Sequence, residues 1–247
     1  MKAFSDLFLS RNASSLENYK WARDPVNAWS RRWEYPFAYN SLTHFSESTH
    51  PKEMMILDAG SGCTFFPYYL AKQGFQVYCC DNDKSLIQIF EHVNPKEGVT
   101  INFEPMDLRS LKYPDGIFDV IYCISVLEHS RNHGDIIRNL NRVLKKDGLL
   151  ILTFDIEVRP EGLKMSSELF SVLSEMFTSL SEIESPTKNM LVSKDIVTNR
   201  VFNMSDKGVL PLRYLHLLRW MARQFIFSLN PQKYYKLTFH CSEWKKQ

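Results

Sequence analysis

Between Met54 and Asp155 the chain alternates short apolar runs with segments of helical periodicity. The runs predicted to be strands are MMILD, FQVYCCD, VTINFE, FDVIYCIS and LLILTFD. The segments predicted to be helices run from near Pro67 to Gly74, over 84–92 and over 135–146. Strands that alternate with helices are typical of βαβ units, whose strands pair in parallel. FDVIYCIS is nearly all apolar, which predicts a strand covered on both faces.

The pattern continues towards the C-terminus. The helix over 135–146 is predicted to end at KKDG, because lysines and Gly148 suit a helix C-terminus. An apolar stripe from Met165 to Phe177 predicts a further helix. SLSEIES is then predicted to be a sixth strand, and KYYKLTFHCSEW a final one. The fold class is therefore α/β.

Two regions lie outside this alternation. Residues 1–50 hold the aromatic and arginine-rich stretch WARDPVNAWSRRWEYPFAYN, which predicts an N-terminal helical cap that acts as a substrate lid. Residues 51–247 would form the main domain, with an acceptor-specific insertion at about 185–232. Within it, 212–229 predicts an amphipathic helix. Such a helix either covers the core or lies on a membrane surface.

Composition narrows the classes of protein to consider. The chain has 247 residues, with 44% hydrophobic and 23% charged, which is typical of one globular domain. A formal charge of +2 gives no support to a nucleic-acid binder. The five cysteines form no C-x-x-C pair, which favours reduced, buried thiols over a metal site. The sequence shows neither an apolar leader nor an 18-residue apolar span, so a cytoplasmic protein is expected. The sequon at Asn12 is then interpreted as accidental.

A glycine loop follows the first predicted strand in ILDAGSGCTFF. Gly60 and Gly62 let the backbone turn tightly and approach a ligand. Asp81 follows Gly62 at the distance at which a dinucleotide site places its ribose-binding acid. The third glycine of that fingerprint is missing, however, and Thr64 follows instead. The loop therefore does not fit a nicotinamide dinucleotide site, although such an oxidoreductase is kept as a less favoured alternative.

Five segments in order resemble the class I S-adenosylmethionine-dependent methyltransferases. They are LDAGSG, CCDND, EPMDL, FDVIYCISVLEHS and LNRVLKKDGLLILT. The last two are similar to the branch that contains ubiquinone-biosynthesis and many small-molecule methyltransferases. The resemblance implies a doubly wound, mostly parallel seven-stranded sheet with helices on both faces. It also implies S-adenosyl-L-methionine as cofactor and S-adenosyl-L-homocysteine as product.

Roles for individual residues follow from this resemblance. The glycine loop would hold the amino-acid tail, Asp81 the ribose hydroxyls, and Asp107 the adenine amine. Asp58 either organises the loop through its backbone N–H groups or contacts the cofactor amine, and the Thr64 hydroxyl could cap the next helix. The predicted cofactor-binding residues are Asp58, Ala59, Gly60, Ser61, Gly62, Asp81, Asn82, Met106, Asp107, Leu108 and Ile124.

For the reaction itself, His129 is the predicted catalytic residue, because a hydroxyl acceptor must lose its proton. The alternative is a histidine that only caps a loop or packs under the adenine. The motifs typical of nucleobase methylation are missing, so a hydroxyl of a small molecule or of a saccharide, including a lipid-linked saccharide, is favoured over nucleic acid. Arg31 or Arg32 would contact an anionic group of this acceptor. A non-catalytic scaffold is the competing hypothesis. No metal is expected, and the sequence predicts no oligomeric state.

Overall fold

The computed structural model describes residues 1–17, 19, 24–28, 30–48, 51–159, 162–163, 167–180 and 236–247. The chain divides into two compact units. The first comprises 1–154, 166–184 and 241–247, and the second comprises 155–165 and 185–240. The predicted insertion at 185–232 and the amphipathic helix at 212–229 lie outside the described residues.

A single sheet forms the centre of the fold. Its strands are β1 (Met55–Ala59), β2 (Gln76–Asp81), β3 (Asn102–Pro105), β4 (Phe118–Ile124), β5 (Leu144–Arg159), β6 (Gly162–Leu163), β7 (Phe177–Ser179) and β8 (Lys236–Lys246). Seven strands follow the order β3-β2-β1-β4-β5-β8-β7, and the short β6 pairs with β5 beside this path. The pairs from β3 to β5 are parallel, whereas β7 and β8 are antiparallel. The predicted doubly wound, mostly parallel sheet is confirmed.

Two of the described α-helices precede β1, and the other four lie in connections between strands. The described helices are α1 (Lys2–Arg11), α2 (Arg31–Phe45), α3 (Phe65–Lys72), α4 (Leu86–Glu97), α5 (His133–Val143) and α6 (Ser167–Met176). The chain steps outward in one direction from β1 through β3 and in the other direction from β4 to β5. Because such crossovers are right-handed, α3 and α4 cover one face and α5 covers the opposite face. Strand order therefore reverses between β1 and β4, where open α/β sheets bind ligands.

Several predicted boundaries are wrong. Helix α4 ends at Glu97 rather than at residue 92. Helix α5 ends at Val143, so KKDG lies within β5 rather than at a helix C-terminus. The β4–β5 register shifts between Phe118 and Val120, which identifies KKDG of β5 as a bulge. Within it, Asp147 has a positive φ of 60°. The sixth predicted strand also begins earlier than expected, because Phe177 starts β7 instead of ending the preceding helix.

The N-terminal region packs on the core of the first unit. Phe8 of α1 and Tyr35 of α2 belong to one buried cluster with Phe65 and Phe66 of α3. Asn12, just after α1, is fully buried, and its Nδ2 donates a hydrogen bond of 2.7 Å to Glu97 Oε1. A buried amide is inaccessible to glycosylation, so the structure agrees with the interpretation of this sequon as accidental.

Replacing Asn12 with alanine is expected to destabilise the fold by about 1.5–3 kcal/mol, because the buried Glu97 carboxylate loses a hydrogen-bond donor. Urea denaturation of both proteins measures this difference. Ser14→Ala is the matched control, since the Ser14 hydroxyl accepts a hydrogen bond of 3.5 Å from an exposed lysine, Lys96. An Asn12→Ala midpoint equal to that of the control would contradict the stabilising role.

The structure also bears on membrane-spanning helices and on the cysteines. Within the described ranges, no helix combines the length and apolar character needed to cross a membrane. All five cysteines are free, and all are buried except Cys241, which is half-buried. Burial raises the pKa of the Cys63 thiol to about 12. This cysteine of the glycine loop is therefore protonated at neutral pH and is a poor nucleophile.

Candidate active site

A cavity of about 570 Å³ opens at the carboxyl ends of β1, β2 and β4, at the point where strand order reverses. Its volume is within the usual range for small-molecule sites. His129 and the predicted cofactor-binding residues line it, with one exception. The exception is Ala59, which is fully buried at the end of β1 and is not part of the cavity wall.

The glycine loop presents bare backbone to this cavity. Gly60 and Gly62 have positive φ angles of 80° and 50°. A Cβ atom at Gly60 would lie 2.6 Å from Val126, and one at Gly62 would lie 2.3 Å from the Tyr19 hydroxyl. Both positions therefore require glycine for conformation and for space.

The N–H groups of the loop are held by four hydrogen bonds. They run from Gly60 and Ser61 to the Cys80 carbonyl (2.8 and 3.0 Å), from Gly62 to Asp81 Oδ2 (3.0 Å) and from Cys63 to the Tyr19 hydroxyl (2.9 Å). The acceptors come from the end of β2 and from the N-terminal region. Neighbouring elements therefore fix the shape of the loop, together with a hydrogen bond of 3.0 Å from Ser61 Oγ to the Gly62 carbonyl.

Asp58 does not organise the loop, so that interpretation is wrong. Its carboxyl is buried beside the Tyr122 hydroxyl, while other residues accept the loop N–H groups. Burial raises the pKa of Asp58 well above its ordinary value, and the neighbouring Tyr122 hydroxyl lowers it by less. Because Asp58 lines the cavity, contact with a ligand is the interpretation that stays open.

Two carboxylates follow successive strands at the same edge of the sheet. Asp81 ends β2, and its second oxygen accepts from the Asp83 N–H at 3.0 Å. Asp107 follows β3, and the Arg109 guanidinium donates to it at 2.9 Å through Nε. The hydrogen bonds with Arg109 hold the pKa of Asp107 below its ordinary value. Each carboxylate keeps free lone pairs for a ligand, since a carboxylate oxygen accepts more than one hydrogen bond.

His129 reaches the cavity from the loop after β4. It ends a short 3-10 turn over Leu127–His129, and its N–H donates to the Val126 carbonyl at 3.0 Å. His133, at the start of α5, contacts the Leu127 carbonyl at 2.9 Å and supports the same turn. The His129 side chain is exposed and lines the cavity, so it can exchange protons with solvent.

Comparison with known proteins identifies the domain around this cavity. Residues 57–152 match the family described as the methyltransferase domain. They form a class I, S-adenosylmethionine-dependent methyltransferase domain. The ubiquinone biosynthesis O-methyltransferase of Rickettsia prowazekii (strain Madrid E) is 33% identical over 154 residues, which cover 58% of this chain and 60% of that protein. The corresponding protein of Rickettsia akari (strain Hartford) is 33% identical over 104 residues, covering 42% and 41%. The chain thus spans about two to three fifths of these relatives.

Solved structures share the architecture of the methyltransferase domain. Geranyl diphosphate C-methyltransferase from Streptomyces coelicolor has a TM-score of 0.57 at 10% identity, covering 96% of this chain and 88% of that one. The cyclase SpnF has a TM-score of 0.56 at 17% identity, covering 99% and 94%. At these identities the likeness shows the fold alone, and the second name illustrates that one fold carries different reactions.

Thr64, which stands where a dinucleotide fingerprint would have its third glycine, lies against the N-terminal region of the chain. Thr64 occupies the N-cap position of α3, but its hydroxyl makes no capping hydrogen bond, so the predicted cap is wrong. Instead its side chain lies beside the hydroxyl of Tyr35, a buried residue of α2 that also lines the cavity. The side chain that a glycine would lack therefore connects the cap to the methyltransferase domain.

A charged cluster on the cavity wall was missed by the sequence analysis. Arg31 forms ion pairs with Asp24, at 3.0 Å, and with Glu34. Two carboxylates within the protein therefore already balance the charge of Arg31. Arg32 does not line the cavity; it donates to the Asn27 carbonyl at 3.1 Å. Among the N-terminal aromatic residues, Trp21 and Trp29 lie outside the described residues, as does Arg23.

Proposed function

We propose that this protein transfers the methyl group of S-adenosylmethionine to a hydroxyl of a small molecule. The observation that carries the proposal is the convergence of the glycine loop, Asp81, Asp107 and His129 on one cavity. The named activity of the relatives, O-methylation, supports a hydroxyl acceptor. Because the chain matches only part of these relatives, assigning their activity to this protein is itself part of the proposal.

The wall of the cavity fits the proposed cofactor. Gly60 and Gly62 line the cavity with backbone alone, so the amino-acid tail can approach the chain closely there. Asp81 has the acceptor chemistry that two adjacent ribose hydroxyls require. Met106 and Leu108, both buried apart from their cavity face, suit the flat adenine beside Asp107. Each requirement is met by a different strand end.

Catalysis would depend mainly on alignment. The bound cofactor supplies an activated methyl group on a sulfonium, so the protein has to orient the acceptor oxygen and remove its proton. A ring nitrogen of His129 is the proposed proton acceptor, and its exposure gives the proton a route to solvent.

The proposed acceptor is a hydroxyl on a ring-containing small molecule, whether free or part of a saccharide or lipid-linked saccharide. Tyr19, Tyr35 and Tyr122 line the cavity. Aromatic side chains supply contact area for planar rings and for sugar faces, while their hydroxyl groups supply hydrogen bonds. The neutralised Arg31 leaves little support for an acceptor that must present a carboxylate or phosphate there.

Transfer of a labelled methyl group tests this proposal directly. The protein is incubated with methyl-labelled S-adenosylmethionine and a cell extract, which is then separated into lipid, polysaccharide, protein, nucleic-acid and small-molecule fractions. Label in the small-molecule, lipid or polysaccharide fraction supports the proposal and identifies the source of the hydroxyl. Label in nucleic acid or protein would contradict the acceptor class. Binding of S-adenosylhomocysteine without any transfer would favour the non-catalytic scaffold.

Tyr19 gives a smaller prediction for the cofactor end of the site. Tyr19→Phe is expected to raise the Kd for S-adenosylhomocysteine about fivefold, because the Cys63 N–H loses its acceptor and one hydrogen bond contributes about 1 kcal/mol. Isothermal titration calorimetry measures the change. Tyr39→Phe, a change on α2 outside the cavity lining, is the matched control. Equal affinities in both variants would show that the hydroxyl of Tyr19 does not support cofactor binding.

A further inference from the structure

Glu34 of α2 places a fully buried carboxylate directly behind the cavity wall. Its Oε1 accepts hydrogen bonds from Ser125 Oγ, at 2.8 Å, and from Thr153 Oγ1, at 2.6 Å. Its Oε2 accepts from Arg31. The carboxylate therefore joins the N-terminal cap to the end of β4 and to β5. Removing a buried charge from water is unfavourable, so these hydrogen bonds are needed to hold it there.

The hydrogen bonds of Glu34 bear on the backbone conformation of Ser125. Ser125 follows the last residue of β4 and has a φ of 52°, in the left-handed region that residues other than glycine rarely adopt. Such a conformation persists when surrounding contacts fix it. Here the Ser125 hydroxyl donates a hydrogen bond to Glu34 and accepts one from Arg31. The Ser125 N–H donates to the Thr153 carbonyl at 2.8 Å.

The turn at Ser125 sets the course of the chain towards His129. Val126 packs so closely on the glycine loop that a Cβ at Gly60 would lie within 2.6 Å of it. The Val126 carbonyl then accepts the N–H of His129 at 3.0 Å. Contacts thus run without a gap from Glu34 through Ser125 and Val126 to His129.

We propose that Glu34 is a positioning residue for methyl transfer, which fixes the left-handed turn at Ser125 and thereby places His129 against the cavity. The kinetic part of this inference rests on the proposed function. Glu34 itself does not line the cavity, so its effect is transmitted through Ser125, which does. An N-terminal acid thus governs a loop 91 residues further along the chain.

The test compares Glu34→Gln with Ser41→Ala in the full chain. Ser41, on the same helix, donates to Glu243 and lies outside the cavity lining, so its loss removes another anchor of α2. Hydrogen exchange of the amides in 125–130 is expected to rise about tenfold in Glu34→Gln, since glutamine forms only neutral hydrogen bonds. Ser41→Ala should leave exchange in this segment unchanged. Thr153→Val, which removes one donor, should give an intermediate rise and covers the case in which Glu34→Gln does not fold.

Kinetics separate positioning from general stability. In Glu34→Gln, kcat for transfer to the labelled fraction is expected to fall at least about tenfold, while the Kd for S-adenosylhomocysteine stays within about threefold. Unchanged exchange at 125–130, or equal loss of kcat in the Ser41→Ala control, would overturn the proposal. If the unmodified protein does not bind S-adenosylhomocysteine, the proposed function fails, and the exchange measurement alone still decides whether Glu34 fixes the turn.

Discussion

Asp81→Ala is expected to raise the Kd for S-adenosylhomocysteine about 100-fold or more. The carboxylate has two tasks in the structure. It holds the glycine loop through the N–H of Gly62, and it offers its remaining lone pairs to the cavity. Charge-assisted hydrogen bonds contribute about 1.5–3 kcal/mol each, so two of them account for an effect of this size. Isothermal titration calorimetry measures it.

Two comparison variants make the Asp81 result specific. Asp83→Ala removes an acid two positions further on, whose Oδ1 accepts from the Ser85 N–H at 3.0 Å and which does not line the cavity. It should change the affinity by less than about threefold. Asp81→Asn keeps one acceptor oxygen and should fall between the two. An Asp81→Ala affinity equal to that of Asp83→Ala would remove Asp81 from the proposed cofactor site.

The cofactor half of the cavity could be predicted because it follows from local patterns. Asp81 and Asp107 each come directly after a predicted strand, and parallel strands bring their carboxyl ends to one edge of the sheet. The glycines come directly after β1. Short-range order along the chain therefore determines where these groups meet, without knowledge of distant contacts. Ala59 was included on the same basis, but burial at the end of its strand keeps it off the cavity wall.

The contacts that link the N-terminal region to the cavity wall could not be predicted, because they join distant parts of the chain. Glu34 and Thr153 are 119 residues apart, and Tyr19 and Cys63 are 44 apart. No periodicity or spacing indicates such pairs. Arg31 was predicted to contact an anionic ligand because its two acidic partners were not apparent from the sequence. The KKDG boundary failed for a related reason, since lysine and glycine suit a β-bulge as well as a helix end.

His129→Ala is expected to lower kcat for methyl transfer about 100- to 10,000-fold, the range typical of a general base, if the acceptor is a hydroxyl. The Kd for S-adenosylhomocysteine should stay within about threefold, because the side chain extends from the loop after β4 and not from the glycine loop or the ends of β2 and β3. Rates of label transfer to the identified fraction, combined with calorimetry, measure both quantities.

The comparison that decides the role of His129 is with His92→Ala. His92 is an exposed histidine on α4 that does not line the cavity, so its replacement should change neither kcat nor affinity. Equal kcat in His129→Ala and His92→Ala would reject the base role. A fall in cofactor affinity with little change in kcat would instead favour the alternative of a histidine that packs under the adenine. A loss of kcat alone supports proton removal by His129, whereas the Glu34→Gln measurements decide whether the hydrogen bond between Glu34 and Ser125 holds this histidine in place.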